Sequence, residues 1–339
     1  MKKKHLNRRQ LWRIQKIQDD YAARAERKHD SADDEQTPDD LGPEEKGLVI
    51  SHFGQQLDIE ALEGKETGEI FRCHQRSNLE PLVTGDHVIW RRGTPTGVVI
   101  ANLQRNSLLQ RPNNFAELKP VAANIDNVII VIAPEPQAHA NLIDRYLVAT
   151  ENSQLRPLIL LNKLDLLNAD KHSGLQELLQ RYSAINYATL MVSSKTGEGI
   201  NELQEYLEGQ TSIFVGQSGV GKSALINALL PGVNTLEGSL SKARGKGRHT
   251  TTSARLFHFP AGGDLIDSPG IREFGMWHMS PAEVFRGFIE FQAFTGLCKF
   301  RDCQHKQEPG CALKAAVDAG DIHAQRIQSY QQILQSLNE

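Results

Sequence analysis

Apolar positions fall into distinct patterns along the chain, and each pattern predicts a different kind of element. In residues 1–30, Leu11 and Ile14 share a helical face with Gln18, and Trp12 lies beside them. That strip is too slight to fold alone. Residues 30–46 have no apolar face at all and carry two prolines, so they read as a linker. From residue 47 the pattern shortens to β-type runs between turns: G-L-V-I-S-H-F, E-I-F-R-C-H, H-V-I-W-R-R and G-V-V-I-A-N-L. About five strands over residues 47–111 predict a small closed barrel. An oligonucleotide-binding (OB) barrel has that size and strand count. From residue 121 strand and helix periods alternate. Strands are predicted at 127–133, 157–162 and 187–192, with helices at 138–152, 172–182 and 199–207. This is the signature of a doubly wound, mostly parallel sheet. At 321–338 a last helix puts Ile327, Tyr330, Leu334 and Leu337 on one face, a stripe that reads as core contact.

Length and charge change this picture in only two places. A chain of 339 residues has room for two or three domains. Its longest apolar run, Val128 to Ala133, is far too short to span a bilayer, and no apolar signal core follows the basic start. No membrane role and a cytoplasmic location are therefore expected. The net charge of −3 conceals an asymmetry. Residues 1–30 hold ten Lys/Arg against four Asp/Glu, whereas residues 31–47 hold seven Asp/Glu against one Lys. The first segment reads either as an arm that becomes helical on RNA or as a solvated tail. In the barrel region Arg72, Arg76, Arg91, Arg92, Arg105 and Arg111 lie in or beside strands, with Phe71 and Trp90 between them. Cations interleaved with aromatics suit single-stranded RNA, and each residue taken singly reads as part of a solvated face or as a core aromatic. Cys73, alone in a barrel strand, reads as a small core residue.

The chemistry concentrates after residue 160. A short apolar run, Ile213 to Val215, leads into Gly216-Gln217-Ser218-Gly219-Val220-Gly221-Lys222-Ser223-Ala224, and a helical pattern follows until Pro231-Gly232. Strand, G-x-x-x-x-G-K-S and helix make a phosphate-cradling loop in its confirming context. Backbone N–H groups would face the phosphates, Lys222 would reach the β- and γ-phosphates, and the Ser223 hydroxyl would ligate Mg²⁺. Asn162-Lys163-Leu164-Asp165 lies at a predicted strand end. A carboxylate there can accept from guanine N1–H and its 2-amino group, a pair of donors that adenine lacks. This argues against an ATP-dependent kinase or ATPase. Ser193-Ser194-Lys195, after the next strand, reads as a guanine-side loop or as a plain Ser-rich turn.

Further along, Gly245-Lys246-Gly247-Arg248-His249-Thr250-Thr251 occupies the place of a first switch loop, where Thr250 or Thr251 would reach Mg²⁺. Asp267-Ser268-Pro269-Gly270 ends a strand. Asp267 would hold Mg²⁺ through water, and the Gly270 N–H would contact the γ-phosphate. The next residue, Ile271, stands where many GTPases carry a water-positioning glutamine, so slow intrinsic hydrolysis is expected. His249 is the candidate water positioner or general base. The order is permuted, because N-K-L-D and S-S-K precede the phosphate loop. Near the C-terminus, Ser280-Pro281-Ala282-Glu283 reads as a capped helix start. It is followed by Cys298, Cys303, His305 and Cys311, three thiols and an imidazole at spacings suited to one closed, structural zinc site.

Taken together, G-Q-S-G-V-G-K-S, N-K-L-D, G-R-H-T-T, D-S-P-G-I and C-x4-C-x-H-x5-C in this arrangement resemble the circularly permuted RsgA (YjeQ) family of ribosome-small-subunit-dependent GTPases. The resemblance implies a multidomain chain with an N-terminal OB-type β-barrel, a central α/β phosphate-loop GTPase domain and a C-terminal helical zinc-binding domain. The expected boundaries are 1–46 for arm and linker, 47–115, 116–277 and 278–339. It also implies a monomer that binds GTP or GDP with Mg²⁺ and acts late in assembly of the small ribosomal subunit. Its partners would be that subunit and its rRNA, hydrolysis would be stimulated by the subunit, and a histidine at His249 would be catalytic with Lys222. The alternative kept open is a nucleotide-gated RNA-binding module whose turnover matters little.

Overall fold

The structure is a computed structural model that describes residues 41–54, 56–77, 79–112, 118–231, 254–267 and 279–337. Its first unit is a closed five-stranded barrel: β1 (Glu44–Phe53), β2 (Gln56–Ala61), β3 (Ile70–Gln75), β4 (His87–Arg91) and β5 (Gly97–Asn102). β1 is long enough to pair with β4 through Glu44–Leu48 and with β2 through Gly47–Phe53. β2–β3, the parallel pair β3–β5 and β5–β4 complete the circuit. The register of β1 against β2 shifts between Val49 and Ser51, a bulge of the kind that lets a strand bend around a barrel corner. Two elements differ from the sequence reading. Residues 44–46, which read as linker, are the start of β1, because their backbone is taken up by pairing with β4. The run at 56–61 shows a plain in-out alternation and is β2.

Most of the barrel arginines and both aromatics have partners within the barrel. Trp90 is fully buried, and with Leu57, Ile59, Cys73 and Val99 it forms the barrel core. Phe71 stacks on it at 5.1 Å. Neither ring is thus an open stacking platform. Arg72 pairs with Asp58 at 2.6 Å, Arg92 pairs with Glu66, and Arg91 donates to the carbonyls of Leu41 and Gly42. Arg105 grips the fully buried Asp86 with two donors at 2.6 and 2.7 Å. The hydrogen bonds to Asp86 raise the pKa of Arg105 against the opposing effect of burial. Four of the six arginines therefore hold the barrel together. Arg76 remains exposed, and the side chain of Arg111 lies outside the described residues.

After a hairpin of β6 (Leu108–Pro112) and β7 (Leu118–Ala123), the chain builds the second sheet in the order β10-β9-β8-β11-β13-β12. Its strands are β8 (Asn127–Ile132), β9 (Arg156–Leu161), β10 (Ala188–Met191), β11 (Thr211–Val215), β12 (Arg255–His258) and β13 (Asp264–Asp267). All pairings are parallel except the β12–β13 edge. β8 is buried at every position, which explains its unbroken apolar run: a central parallel strand is covered on both faces. Helices α1 (Ala140–Asn152), α2 (Ala169–Ala184), α3 (Ile200–Leu207) and α4 (Lys222–Leu229) provide that cover.

The barrel is joined to the β12–β13 edge by several contacts. Ser51 pairs with Arg255 across the strands, the Thr84 hydroxyl donates to the Ala254 carbonyl at 3.0 Å, and Leu48 and Ile50 pack with Leu256 and Ile266. His258 lies between Glu60 of β2 and Asp264 of β13, 2.6 Å from each. The hydrogen bond to Asp264 is the main cause that raises its pKa to about 9, with burial opposing and Glu60 adding. The folded-state value lies above the ordinary value near 6.5, so the clamp stabilises fully below about pH 6.5 and is lost as pH rises through about 9. Wild type is expected to exceed His258→Gln in thermal midpoint by most at about pH 5–6.5, with the gap closing above pH 9. Melting curves across that range check this, and a gap independent of pH would show that the histidine acts by packing alone.

The C-terminal unit comprises α5 (Pro281–Arg286), a 3-10 turn (Ile289–Phe294), α6 (Ala312–Ala319) and α7 (Ala324–Ser336). The start of α5 is a full capping box, with the Ser280 hydroxyl accepting from the Glu283 N–H and the Glu283 carboxylate accepting from the Ser280 N–H. Of the expected stripe on α7, Ile327 and Tyr330 are buried while Leu334 and Leu337 are half-buried; Ile333, outside that stripe, is fully buried. This unit packs on α1, where Val148 and Ala149 meet Val284, Phe288 and Phe291.

Arg326 of α7 is buried at that contact. It pairs with Glu290 at 2.6 and 3.0 Å and with the fully buried Asp144 of α1. Tyr182 of α2 donates to the same Asp144 oxygen at 2.6 Å. Although burial works against its charge, Asp144 and Glu290 push the pKa of Arg326 up. Among the described residues no helix is long and apolar enough to cross a membrane.

Candidate nucleotide and metal sites

The C-terminal ends of β8, β9, β10, β11 and β13 open on one edge of the parallel sheet, where ligands of such sheets bind. β11 runs into Gly216–Gly221, and α4 begins at Lys222 with Gly221 in the left-handed region, φ 93°. A Cβ at Gly216 would lie 2.2 Å from the Val131 carbonyl, and one at Gly221 would lie 2.4 Å from the Asn162 amide nitrogen. Only glycine lets the loop turn this close to its neighbours. Lys222 is almost fully buried, and its Nζ donates to the carbonyls of Gly216 and Gln217 at 2.6 and 2.7 Å. Ser223 follows, half-buried, in the first turn of the helix.

Asn162, at the end of β9, is fully buried and joins two loops. Its amide donates to the Val220 carbonyl at 2.9 Å, and its Oδ1 accepts from the Ser194 N–H at 3.2 Å. Lys163 takes a left-handed turn at φ 62°, and its Nζ donates to the Glu135 carbonyl at 2.8 Å. Leu164 begins the short 3-10 turn that carries Asp165. The Ser193 hydroxyl donates to Asp165 Oδ1 at 2.7 Å, and Lys195 Nζ lies 3.7 Å from Oδ2. The Ser193 hydrogen bond is the main cause that holds the Asp165 carboxyl below the usual carboxylate range. N-K-L-D and S-S-K therefore form one cluster, tied by Asn162 to the phosphate loop. The pinning role of Asn162 and the tie from Lys163 to Glu135 were not evident from spacing, because their partners lie on other strands. Asp267 ends β13, half-buried, on the same sheet edge. His249, Thr250, Thr251 and Gly270 lie outside the described residues.

Across the molecule, the sulfurs of Cys298, Cys303 and Cys311 and a nitrogen of His305 all lie within 4.8 Å of one another. From His305 Nδ1 the sulfurs are 3.5, 3.8 and 3.5 Å away. Bonds of about 2.3 Å to sulfur and about 2.0 Å to nitrogen, arranged tetrahedrally, require ligand separations of this order. Burial lowers the pKa of His305 and so favours the neutral imidazole that a metal needs. Its carbonyl accepts from Gln331 at 2.8 Å, and its ring stacks on Phe285 at 5.4 Å. The donor set fits one closed metal site.

A closed barrel, a phosphate loop between a parallel strand and a helix, and an N-K-L-D cluster that precedes it in the chain define a circularly permuted phosphate-loop GTPase with an appended unit that could hold a metal. Residues 102–277 match the RsgA GTPase family. The protein from Marinobacter nauticus named small ribosomal subunit biogenesis GTPase RsgA is 55% identical, covering 100% of this chain and 97% of its own. The protein of that name from Azotobacter vinelandii is 56% identical over 100% and 99%. Among solved structures, YjeQ from Thermotoga maritima aligns with TM-score 0.71 at 34% identity, covering 87% of this chain and 99% of that one. The circularly permuted GTPase YloQ aligns with TM-score 0.68 at 25% identity, covering 91% and 98%. The chain belongs to the RsgA family of small ribosomal subunit biogenesis GTPases, and it is a GTP-hydrolysing enzyme.

Proposed function

We propose that the protein works as a cytoplasmic monomer late in small-subunit maturation, binds the subunit through its rRNA, and leaves when subunit-stimulated hydrolysis of GTP is complete. The observation that carries this reading is the full-length likeness to relatives named small ribosomal subunit biogenesis GTPases. In this reading Lys222 exchanges the carbonyls of Gly216 and Gln217 for the β- and γ-phosphates, and the loop N–H groups from Gly216 to Ala224 cradle them. Asp165, positioned by Ser193 and Lys195, reads the guanine edge. Ser223, Asp267 and Thr250 or Thr251 would hold Mg²⁺, which when bound neutralises charge on the phosphate oxygens. His249 would orient the attacking water, whose oxygen bonds to the γ-phosphorus as the bond from that phosphorus to the β–γ bridging oxygen breaks; GDP leaves with the bond's electron pair, and the water's proton passes to the phosphate released. Cys298, Cys303, His305 and Cys311 would hold zinc as a structural ion.

The test is GTP turnover by purified protein alone and with small subunits, large subunits or free RNA. Strong stimulation by small subunits only is expected, and Lys222→Ala should lower it about 10²–10³-fold. Equal rates with and without small subunits would overturn the ribosomal assignment.

A further inference from the structure

A cavity of about 750 Å³ opens beside the Cys3His cluster, between α5, the loop 294–306 and the last turns of α7. A single ion fills only a small part of it, since ligand bonds there are about 2.0–2.3 Å long. Its volume lies within the range of small-ligand sites. The inner wall is aromatic: Phe285, His305 and Tyr330 line it, with Phe285 and His305 stacked. Tyr330 is 4% exposed, and its ring lies 6.3 Å from that of His305. At the mouth Phe300 is exposed, with the Lys299 ammonium over its ring at 5.6 Å. Of the residues lining the cavity three are cationic (Lys299, Arg301 and Lys306) and none is acidic. The nearby Glu308 carboxylate is turned onto the backbone N–H groups of Gln304 and Lys306. The amide side chains of Gln304 and Gln335 also line the wall.

An aromatic interior, amide side chains in the wall and a cationic mouth are complementary to an unstacked nucleobase that carries phosphates on either side. An apolar helix would leave the cations without counter-charge. We propose that this cavity takes one splayed-out base of single-stranded RNA, with its flanking phosphates held by Lys299, Arg301 and Lys306. The inference rests on the RNA-binding part of the function proposed above.

The test compares binding of a short oligoadenylate with that of a matched ribose–phosphate chain lacking bases. Wild type should prefer the base-bearing chain by about tenfold or more. Ala282→Trp and, separately, Gln335→Trp fill the cavity from exposed lining positions and should abolish the preference. GTP affinity and bound zinc should be unchanged in both. Lys299→Gln with Arg301→Gln and Lys306→Gln should weaken binding of both chains alike. Equal binding by wild type, or a preference that survives both tryptophans, overturns the assignment. Stimulation of wild-type turnover by small subunits is read in parallel. If it is absent, the proposed function itself fails; if it is present while the preference ignores the tryptophans, only the base pocket fails.

Discussion

Replacement of Asp165 by asparagine is expected to lower GTP affinity about 10⁴-fold and to create affinity for xanthosine triphosphate. The size of the effect follows from the chemistry of the pair. Guanine presents N1–H and a 2-amino group side by side, and a carboxylate accepts from both. An asparagine keeps one acceptor and puts an amide N–H₂ against the 2-amino group, two donors facing each other with no water between. Xanthine has a carbonyl at that position, so the same amide then donates to it. The surroundings of Asp165 favour a clean exchange. The Ser193 hydroxyl, 2.7 Å from Oδ1, can rotate to donate or accept, and Lys195 stands off at 3.7 Å from Oδ2. Asn162, which ties the cluster to the phosphate loop, is untouched. Competition of GTP, XTP and ATP against a fluorescent nucleotide reads the result. A loss of GTP binding below tenfold, with no gain for XTP, would mean that Asp165 does not face the base.

Local pattern carried most of the architecture to the page because the physics there is local. β8, buried on both faces, reads as a strand from the five apolar residues Val128 to Ile132 alone. The phosphate loop reads from its glycines, since Gly216 and Gly221 have no room for a Cβ. The capping box at Ser280 spells out its own hydrogen bonds. What sequence could not supply was the partner of each charged side chain. Arg72, Arg91, Arg92 and Arg105 have the composition of a nucleic-acid surface, yet each is turned onto an acid or a carbonyl that lies 14 to 50 positions away. The spacing of Asp58, Asp86 and Glu66 gave no sign of this. Asn162 is the counterpart within the site, a motif residue whose side-chain hydrogen bonds reach loops 32 and 58 to 59 positions distant. The same limit hides the tie between the barrel and the β12–β13 edge, which is made by single residues such as Thr84 and His258.

Replacement of Arg326 by methionine is expected to destabilise the docking of the C-terminal unit by about 3–5 kcal/mol, the range for removing one partner of a buried ion pair. Asp144 is fully buried, and burial already pushes its pKa up against the pull of Arg326. With the guanidinium gone, only the Tyr182 hydroxyl and short polar neighbours remain to meet the charge, and Asp144 must take up a proton or drag water into the contact. Arg326→Lys should recover little. One ammonium cannot span Glu290 and Asp144 together, as the forked guanidinium does, nor lie flat over the Phe288 ring at 4.4 Å. Removing the acids as well gives the decisive comparison. Asp144→Leu and Glu290→Gln combined with Arg326→Met should regain most of the loss, because a buried pair replaced as a whole by apolar groups costs little. Urea unfolding, followed together with release of metal from the Cys3His cluster, separates loosening of the C-terminal unit from global melting. A single substitution that costs under about 1 kcal/mol would place the pair in solvent rather than in the core. If instead the loss is large and the triple variant restores it, the three charges fix how α7 sits on α1. That placement governs how firmly the unit with the Cys3His cluster is held to the helix that leads from β8, beside the loop where the Glu135 carbonyl receives Lys163.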